Sequence, residues 1–327
     1  MSSPSRKGDS VPALCPSTRT LIFLMGLVVF SFPVGCSSQD DPKPIDMDKR
    51  VVLSPEKTPS KGQNNVLHFA VGAMITPTEG FGYYRRLLDY LEEKMGRDVE
   101  YVDRKEYAEV NALLESGYID AAFVCSGPYV TGHRQFGLEL LLAPQAYGAP
   151  VYYSYIIVNK DSDIRELEDL RGRTFAFTDP DSNSGRLSPT YILAGMGETP
   201  DSFFGSYEFT YAHDKSIEVV ARNLVDGAAV DSLIWDYIAR KNPELTDRTR
   251  IITKSEPYGI PPLVVRPGLP ENVKAELKSA LLDMAHDPRG REILDGMMIE
   301  RFIETEDRAY DTIREMQARV AKVESEE

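Results

Sequence analysis

The run Asp181-Ser182-Asn183-Ser184-Gly185 places four helix-capping side chains in consecutive positions. Side chains of Ser, Asn and Asp accept hydrogen bonds from the first free backbone N–H groups of a helix. The run follows a β-like stretch, Thr174–Thr178, and precedes a helical pattern over Leu187–Ala194. Pro189 locates the helix start. Beyond the first turn, proline would remove a backbone hydrogen bond and clash with the carbonyl four residues earlier. The helix is therefore predicted to begin around Ser184–Arg186. Free N–H groups, two hydroxyls and an amide then converge at the positive end of a helix dipole. Such a point suits an anion. Ordinary capping without a ligand is the alternative, and the short motif does not separate the two.

Ser182 or Ser184, with His213 and Asp231, also offers the residue types of a nucleophilic triad. The serines stand in a run of caps, however, with no G-x-S-x-G elbow, so a Ser/His hydrolase is the weaker reading. The four histidines and three cysteines show no metal-ligand spacing. No nucleotide-binding loop is present either, and neither metal nor cofactor is expected. The chain carries 51 carboxylates against 37 Lys plus Arg, a formal charge of −14. That balance argues against nucleic acid, which needs a basic surface. It does not exclude a small anion, because local N–H groups set the field at a helix start and salt screens distant charge over roughly 10 Å.

The elements that must position these residues follow from periodicity. Strand patterns at Val66–Val71, Val99–Val102 and Ala121–Val124 alternate with helical patterns at Tyr83–Met95 and Glu106–Glu115. This order predicts a parallel sheet with right-handed crossovers. Tyr152–Val158 is a long strand, after which the alternation restarts. Strands are predicted at Thr174–Thr178, Phe209–Ala212, Ala228–Val230, Arg250–Thr253 and Leu263–Val265. Helices are predicted at Leu187–Ala194, Ser216–Val225, Ile234–Arg240, Glu271–Ala285 and Arg308–Val323. Two α/β units joined by long strands imply two lobes, crossed near Tyr152–Asn159 and Ile251–Ser255.

The N-terminal residues read as a targeting segment. Arg6, Lys7 and Arg19 precede an apolar stretch, Leu21–Phe32, that is too short to span a bilayer comfortably. Val34-Gly35-Cys36 and a polar run follow. This resembles the lipobox of bacterial lipoproteins, with Pro33 where leucine is usual, and implies cleavage before Cys36 and lipidation of its thiol. A cleaved but unlipidated export signal is the alternative. Ser37 to about Asn65 is rich in Pro, Ser, Asp and Lys and reads as a tether. Cys125 ends an apolar run and reads as a buried, inert thiol.

The segment YYSYIIVNKDSDIRELEDLRGRTFAFTDPDSNSGRLSPTYILAGMG, Tyr152–Gly197, resembles the phosphonate-, phosphite- and phosphate-binding proteins of ABC importers. Tyr84–Gly96, Ser126-Gly127-Pro128-Tyr129, and the stretch from His213-Asp214 to Asp231 fit the same family in the same order. The resemblance implies an α/β fold of the two-lobed type 2 periplasmic-binding-protein kind, each lobe a mixed, mostly parallel sheet flanked by helices. The expected division is a signal peptide (1–35), a tether (36–65), lobe 1 (66–158), lobe 2 (159–253) and a return to lobe 1 (254–327). The resemblance implies a non-enzymatic, monomeric solute-binding protein, lipid-anchored at Cys36 and facing the periplasm or cell exterior. It would pass a phosphorus oxyanion to a membrane permease. A sensory module presenting the ligand to a signalling partner is the alternative use of the same fold.

Carried over residue by residue, Ser182, Asn183 and Ser184 stand at the family's oxyanion-binding Ser-Thr-Ser. Tyr84 stands at an aromatic site on the first helix, and Ser126 and Tyr129 on the loop facing it. His213 matches a histidine that contacts an oxyanion oxygen, and Asp231 matches an acidic site residue. Read without the family, Tyr84 suits a core aromatic equally well, and His213 and Asp231 suit helix caps. One departure concerns selectivity. Relatives that take aminoalkyl phosphonates have a second acid near the return hinge, and counting back from Val264-Val265-Arg266 places Pro261 there. An ammonium group would lack that counter-charge, so binding of 2-aminoethylphosphonate is expected to be weaker than that of phosphate, phosphite or a small alkyl phosphonate.

Overall fold

The computed structural model describes residues 66–72 and 77–325. The targeting segment, the tether and Cys36 lie outside the described residues. Among those described, no helix is long and apolar enough to cross a membrane.

In chain order the elements are β1 (Val66–Val71), α1 (Pro77–Met95), β2 (Asp98–Val102), α2 (Tyr107–Glu115), β3 (Ala121–Phe123), α3 (Ser126–Phe136), β4 (Glu139–Gln145), β5 (Val151–Tyr152) and β6 (Ser154–Asn159). There follow β7 (Thr174–Phe177), α4 (Ser188–Gly195), α5 (Pro200–Phe203), β8 (Ser206–Phe209), α6 (His213–Ala221), β9 (Gly227–Asp231), α7 (Ser232–Lys241) and β10 (Thr249–Lys254). The chain closes with β11 (Tyr258–Gly259), β12 (Leu263–Val265), α8 (Glu271–Asp283), α9 (Pro288–Gly296), β13 (Arg301–Ile303) and α10 (Asp311–Glu324).

Two sheets carry the fold. The first has the order β13-β4-β12-β3-β1-β2 and the second β10-β6-β9-β7-β8. Both are mixed. β1 runs parallel to β2 and β3, and β7 parallel to β8 and β9, as β-α-β units require. β12 in the first sheet and β6 in the second pair antiparallel to both neighbours, so each sheet is less parallel than the alternation of β and α runs predicts.

Side-chain alternation sorts the cores. Leu67, Phe69 and Val71 pack with α1, α8 and α9 residues on one face of the first sheet. Ala70, Ala122 and Val264 face the opposite side, with residues of α2, α3 and α10. In the second sheet Tyr155 and Ile157 point one way and Ile156 and Val158 the other. Strand residues i and i+2 share a face, so one period-2 pattern serves two cores.

The chain crosses between sheets twice, side by side. Ser154 N–H donates to Ser255 Oγ at 2.9 Å, and Ser255 N–H returns to Ser154 O at 3.0 Å. Just before this, Tyr152 pairs with Tyr258 in the small β5–β11 ribbon. All of β6 lies in the second sheet, so the sheets divide before Ser154 rather than after residue 158.

Two local readings are corrected. Ser126–Tyr129, expected in a loop, opens helix α3. The strand expected at Phe209–Ala212 is β8, Ser206–Phe209, and the next helix begins at His213 rather than Ser216. Between them Tyr211 takes a left-handed conformation with φ 61°, ending the strand early.

Candidate ligand-binding site

Ser182 caps the turn that follows β7. Its backbone is extended, and its Oγ accepts from Gly185 N–H at 2.9 Å. Residues 183–187 form a wider π-type turn, with Leu187 N–H reaching Ser182 O and Ser188 N–H reaching Asn183 O. Helix α4 then begins at Ser188 with Pro189 in its first turn. The helix thus starts later than predicted, because the π turn supplies the relief that Pro189 needs. Gly185 is required here: a Cβ would lie 2.5 Å from Thr178 Oγ1.

Asp179 fixes the turn from within. Its Oδ1 accepts Asp181 N–H at 2.8 Å, and its Oδ2 accepts Tyr107 N–H at 3.2 Å. The second contact joins the second lobe to the start of α2 in the first. Asn183 reaches across as well. Its N–H donates to Cys125 Sγ at 3.4 Å, and its Nδ2 donates to Tyr152 Oη at 2.9 Å. Ser154 Oγ donates to Ser184 O at 2.6 Å, tying the crossing strand to the same turn. Cys125 is the buried thiol expected, and burial pushes its pKa up to about 11.

His213 and Asp231 meet at the start of α6 and the end of β9. The backbone N–H of Asp231 donates to His213 Nδ1 at 3.0 Å. An amide can only donate, so Nδ1 must be the bare nitrogen and Nε2 carries the proton. Burial lowers the His213 pKa to about 3, keeping the ring neutral. Asp231 Oδ1 accepts Leu233 N–H at 2.7 Å and caps α7, while burial raises its pKa to about 7.

Five side-chain atoms in this neighbourhood are buried without a hydrogen-bond partner: Asn183 Oδ1, Ser184 Oγ, His213 Nε2, Asp231 Oδ2 and Tyr107 Oη. Tyr107 packs in one core cluster with Cys125, whose sulfur accepts Asn183 N–H, which places it beside the rest. A buried, unsatisfied polar group costs about 1–3 kcal/mol, and such groups are few in native proteins. Their clustering marks a place built for a polar guest. The starts of α3, α6 and α7 and the capped turn at Ser182 bring several positive helix ends to the group. The field there favours an anion despite the chain's net negative charge.

A family model described as the periplasmic substrate-binding protein of phosphonate ABC transporters matches residues 69–310. The chain belongs to this family. It is 25% identical over 270 residues to the phosphonates-binding periplasmic protein of Escherichia coli, covering 81% of this chain and 79% of that one. It is 28% identical over 184 residues to a probable phosphite-binding ABC transporter protein of Prochlorococcus marinus, covering 53% and 62% respectively. The crystal structure of a phosphonate-transporter binding component from Pseudomonas aeruginosa superposes with a TM-score of 0.76 at 23% identity, covering 80% of this chain and 88% of that one. The shared fold is the type 2 periplasmic-binding-protein architecture expected from the sequence.

Within this family frame the residues singled out from sequence divide. Ser182, Asn183, Ser184, His213 and Asp231 come together. Tyr84 lies beside them, its ring 6.4 Å from Phe123 and its hydroxyl pKa raised by burial and by Asp231. Ser126 borders the group, but its Oγ donates to Gly259 O at 2.6 Å. Tyr129 is not brought in. Its hydroxyl donates to Asp307 at 2.6 Å, and its ring packs on Tyr310. It therefore joins α3 to the C-terminal segment. The Arg186 guanidinium stacks 4.6 Å over the Phe177 ring. Tyr107, Tyr152, Ser154 and Thr178 were missed. Alternation along the crossing strand places Tyr152 and Ser154 on one face, a signal that could have found that pair.

Proposed function

We propose that this protein is the extracytoplasmic solute-binding component of an ABC importer, that it captures a phosphorus oxyanion between its two lobes, and that it delivers the oxyanion to a permease. The carrying observation is the cluster of five unpartnered buried polar atoms among helix starts, in a chain of this family. Ser184 Oγ, Tyr107 Oη and His213 Nε2–H are donors for oxyanion oxygens. Asp231 Oδ2 is an acceptor for a P–OH proton, or a donor when protonated. Four to six hydrogen bonds to charged groups, at about 1.5–3 kcal/mol each, offset association costs and reach the roughly 8 kcal/mol of micromolar affinity. A binder is preferred to a hydrolase because the His213 tautomer leaves Nε2 with a proton to give, not a lone pair to take one from serine.

Calorimetric titration with phosphite, phosphate and methylphosphonate tests this reading, and no heat from any of them at millimolar concentration would sink it. The pH profile adds a sharper test. The complex shares one proton between Asp231 and the ligand. Below about pH 7 Asp231 holds that proton; above it the carboxylate repels a dianion. Affinity should fall as pH rises, by about tenfold per unit well above the pKa values of both groups. Asp231→Asn, titrated in parallel, should bind the dianion with a flat profile there. A profile identical in the two proteins would remove Asp231 from the site.

The lipid anchor is part of the proposal. Cys36→Ser should release the protein from membranes or block its processing, and unchanged fractionation with no lipid mass on the mature N-terminus would contradict it.

A further inference from the structure

We infer that the ligand carries a compact, uncharged apolar substituent of about three carbons on its phosphorus, seated in a cavity beside Asp231. This rests on the oxyanion reading above. The cavity has a volume of about 100 Å³ and is lined by Asp231, by four tyrosines that include Tyr84, and by an apolar wall that includes Ala146, Ile260, Pro261 and Ile299. Asp231 is the one charged residue in its described lining. With Oδ1 committed to Leu233 N–H and Oδ2 unpartnered, the carboxyl forms the seam between the polar cluster and the apolar space. A phosphorus atom held against Asp231 therefore has its substituent directed at aliphatic and aromatic carbon.

The wall is held at a conformational cost. Tyr147 (φ 51°) and Met298 (φ 57°) both take left-handed backbone, which is unfavourable for side chains of their size. They meet in this wall, where the Tyr147 hydroxyl donates to Met298 Sδ at 3.6 Å. Strain of this kind persists where surrounding structure holds a side chain in a needed place. The unbranched thioether of Met298 can adapt to an alkyl guest. The volume is below the roughly 150 Å³ of a cavity that accepts benzene, which suits a substituent of about three carbons. Pro261 in the wall brings no counter-charge, so an ammonium group there would have only Asp231, which the oxyanion also needs.

Calorimetry with phosphite and with methyl-, ethyl-, propyl- and 2-aminoethylphosphonate tests the inference on the intact protein. Affinity should rise about fourfold per buried methylene, so propylphosphonate, with two more methylenes, should bind about fifteenfold tighter than methylphosphonate. The 2-aminoethyl compound, of similar size, should bind at least tenfold more weakly than propyl. Ala146→Leu should abolish the methyl-to-propyl gain and leave phosphite affinity unchanged. Ile299→Phe is the second arm should the first variant fail to fold. Flat or falling affinity from methyl to propyl, with phosphite still bound, would overturn the apolar-substituent inference alone. So would a gain that survives filling the cavity, or aminoethyl binding that matches propyl. Absence of binding across the whole series would overturn the oxyanion reading and this inference together.

Discussion

The double substitution Ser182→Ala, Ser184→Ala should weaken oxyanion binding by at least a hundredfold. On the proposed reading each hydroxyl removed would donate to a charged group at about 1.5–3 kcal/mol, and about 2.7 kcal/mol is already a hundredfold. The two serines should separate when changed singly. Ser184 Oγ has no protein partner, so Ser184→Ala should cost affinity and little stability. Ser182 Oγ also caps Gly185 N–H, so Ser182→Ala should cost about 1 kcal/mol of stability as well. Titration of the double variant, with thermal unfolding to establish that it folds, decides the matter. A loss below tenfold in a folded protein would place the oxyanion elsewhere.

Gly127→Val should weaken binding by a hundredfold or more while leaving every polar side chain of the cluster in place. A Cβ at Gly127 would lie 2.6 Å from Asp181 O, across the junction between the lobes. That overlap is with backbone, not with a flexible side-chain end, so neither partner can yield cheaply. An open arrangement removes the clash, so folding should survive while closure is penalised. A ligand held by both lobes then loses the state it binds best. X-ray scattering should show wild type contracting at saturation and the variant failing to contract. Equal affinity in the variant, or a wild-type radius of gyration unmoved by ligand, would show that binding does not require this approach of the lobes.

Much of this was readable from local pattern. The strand at Thr174–Thr178, the cap run after it and Pro189 follow one another in sequence, so the capped turn at Ser182 could be found by capping rules. His213 and Asp231 needed the family resemblance, because a strand-end histidine and a cap aspartate look alike whether or not they face a ligand. The resemblance implies a loop at Ser126–Tyr129, and Ser126-Gly127-Pro128 and Gly132 are weak helix formers; helix α3 forms there with Tyr129 and Val130 packed into the first-lobe core. Tyr107 could not be recognised at all from its neighbours. It falls at the start of a helix, where an aromatic suits the core, and only the pairing of its N–H with Asp179, 72 residues away, turns it towards the second lobe. Tyr129 failed for the opposite reason. One helical turn separates it from Ser126, and its hydroxyl is drawn to Asp307 on the far side.

Cys125 gives the molecule an internal clock. Its sulfur accepts N–H groups from both lobes, from Gly127 beside it and from Asn183 opposite. Burial holds it as the unreactive thiol rather than the thiolate. In the joined arrangement an alkylating reagent has neither access nor a nucleophile to meet. Separation of the lobes would remove the Asn183 contact and admit water, so modification of this sulfur would count opening events one molecule at a time. A guest that prolongs the joined state would slow that count in proportion to its residence, which makes a chemical rate at one buried atom a measure of how often the two halves part.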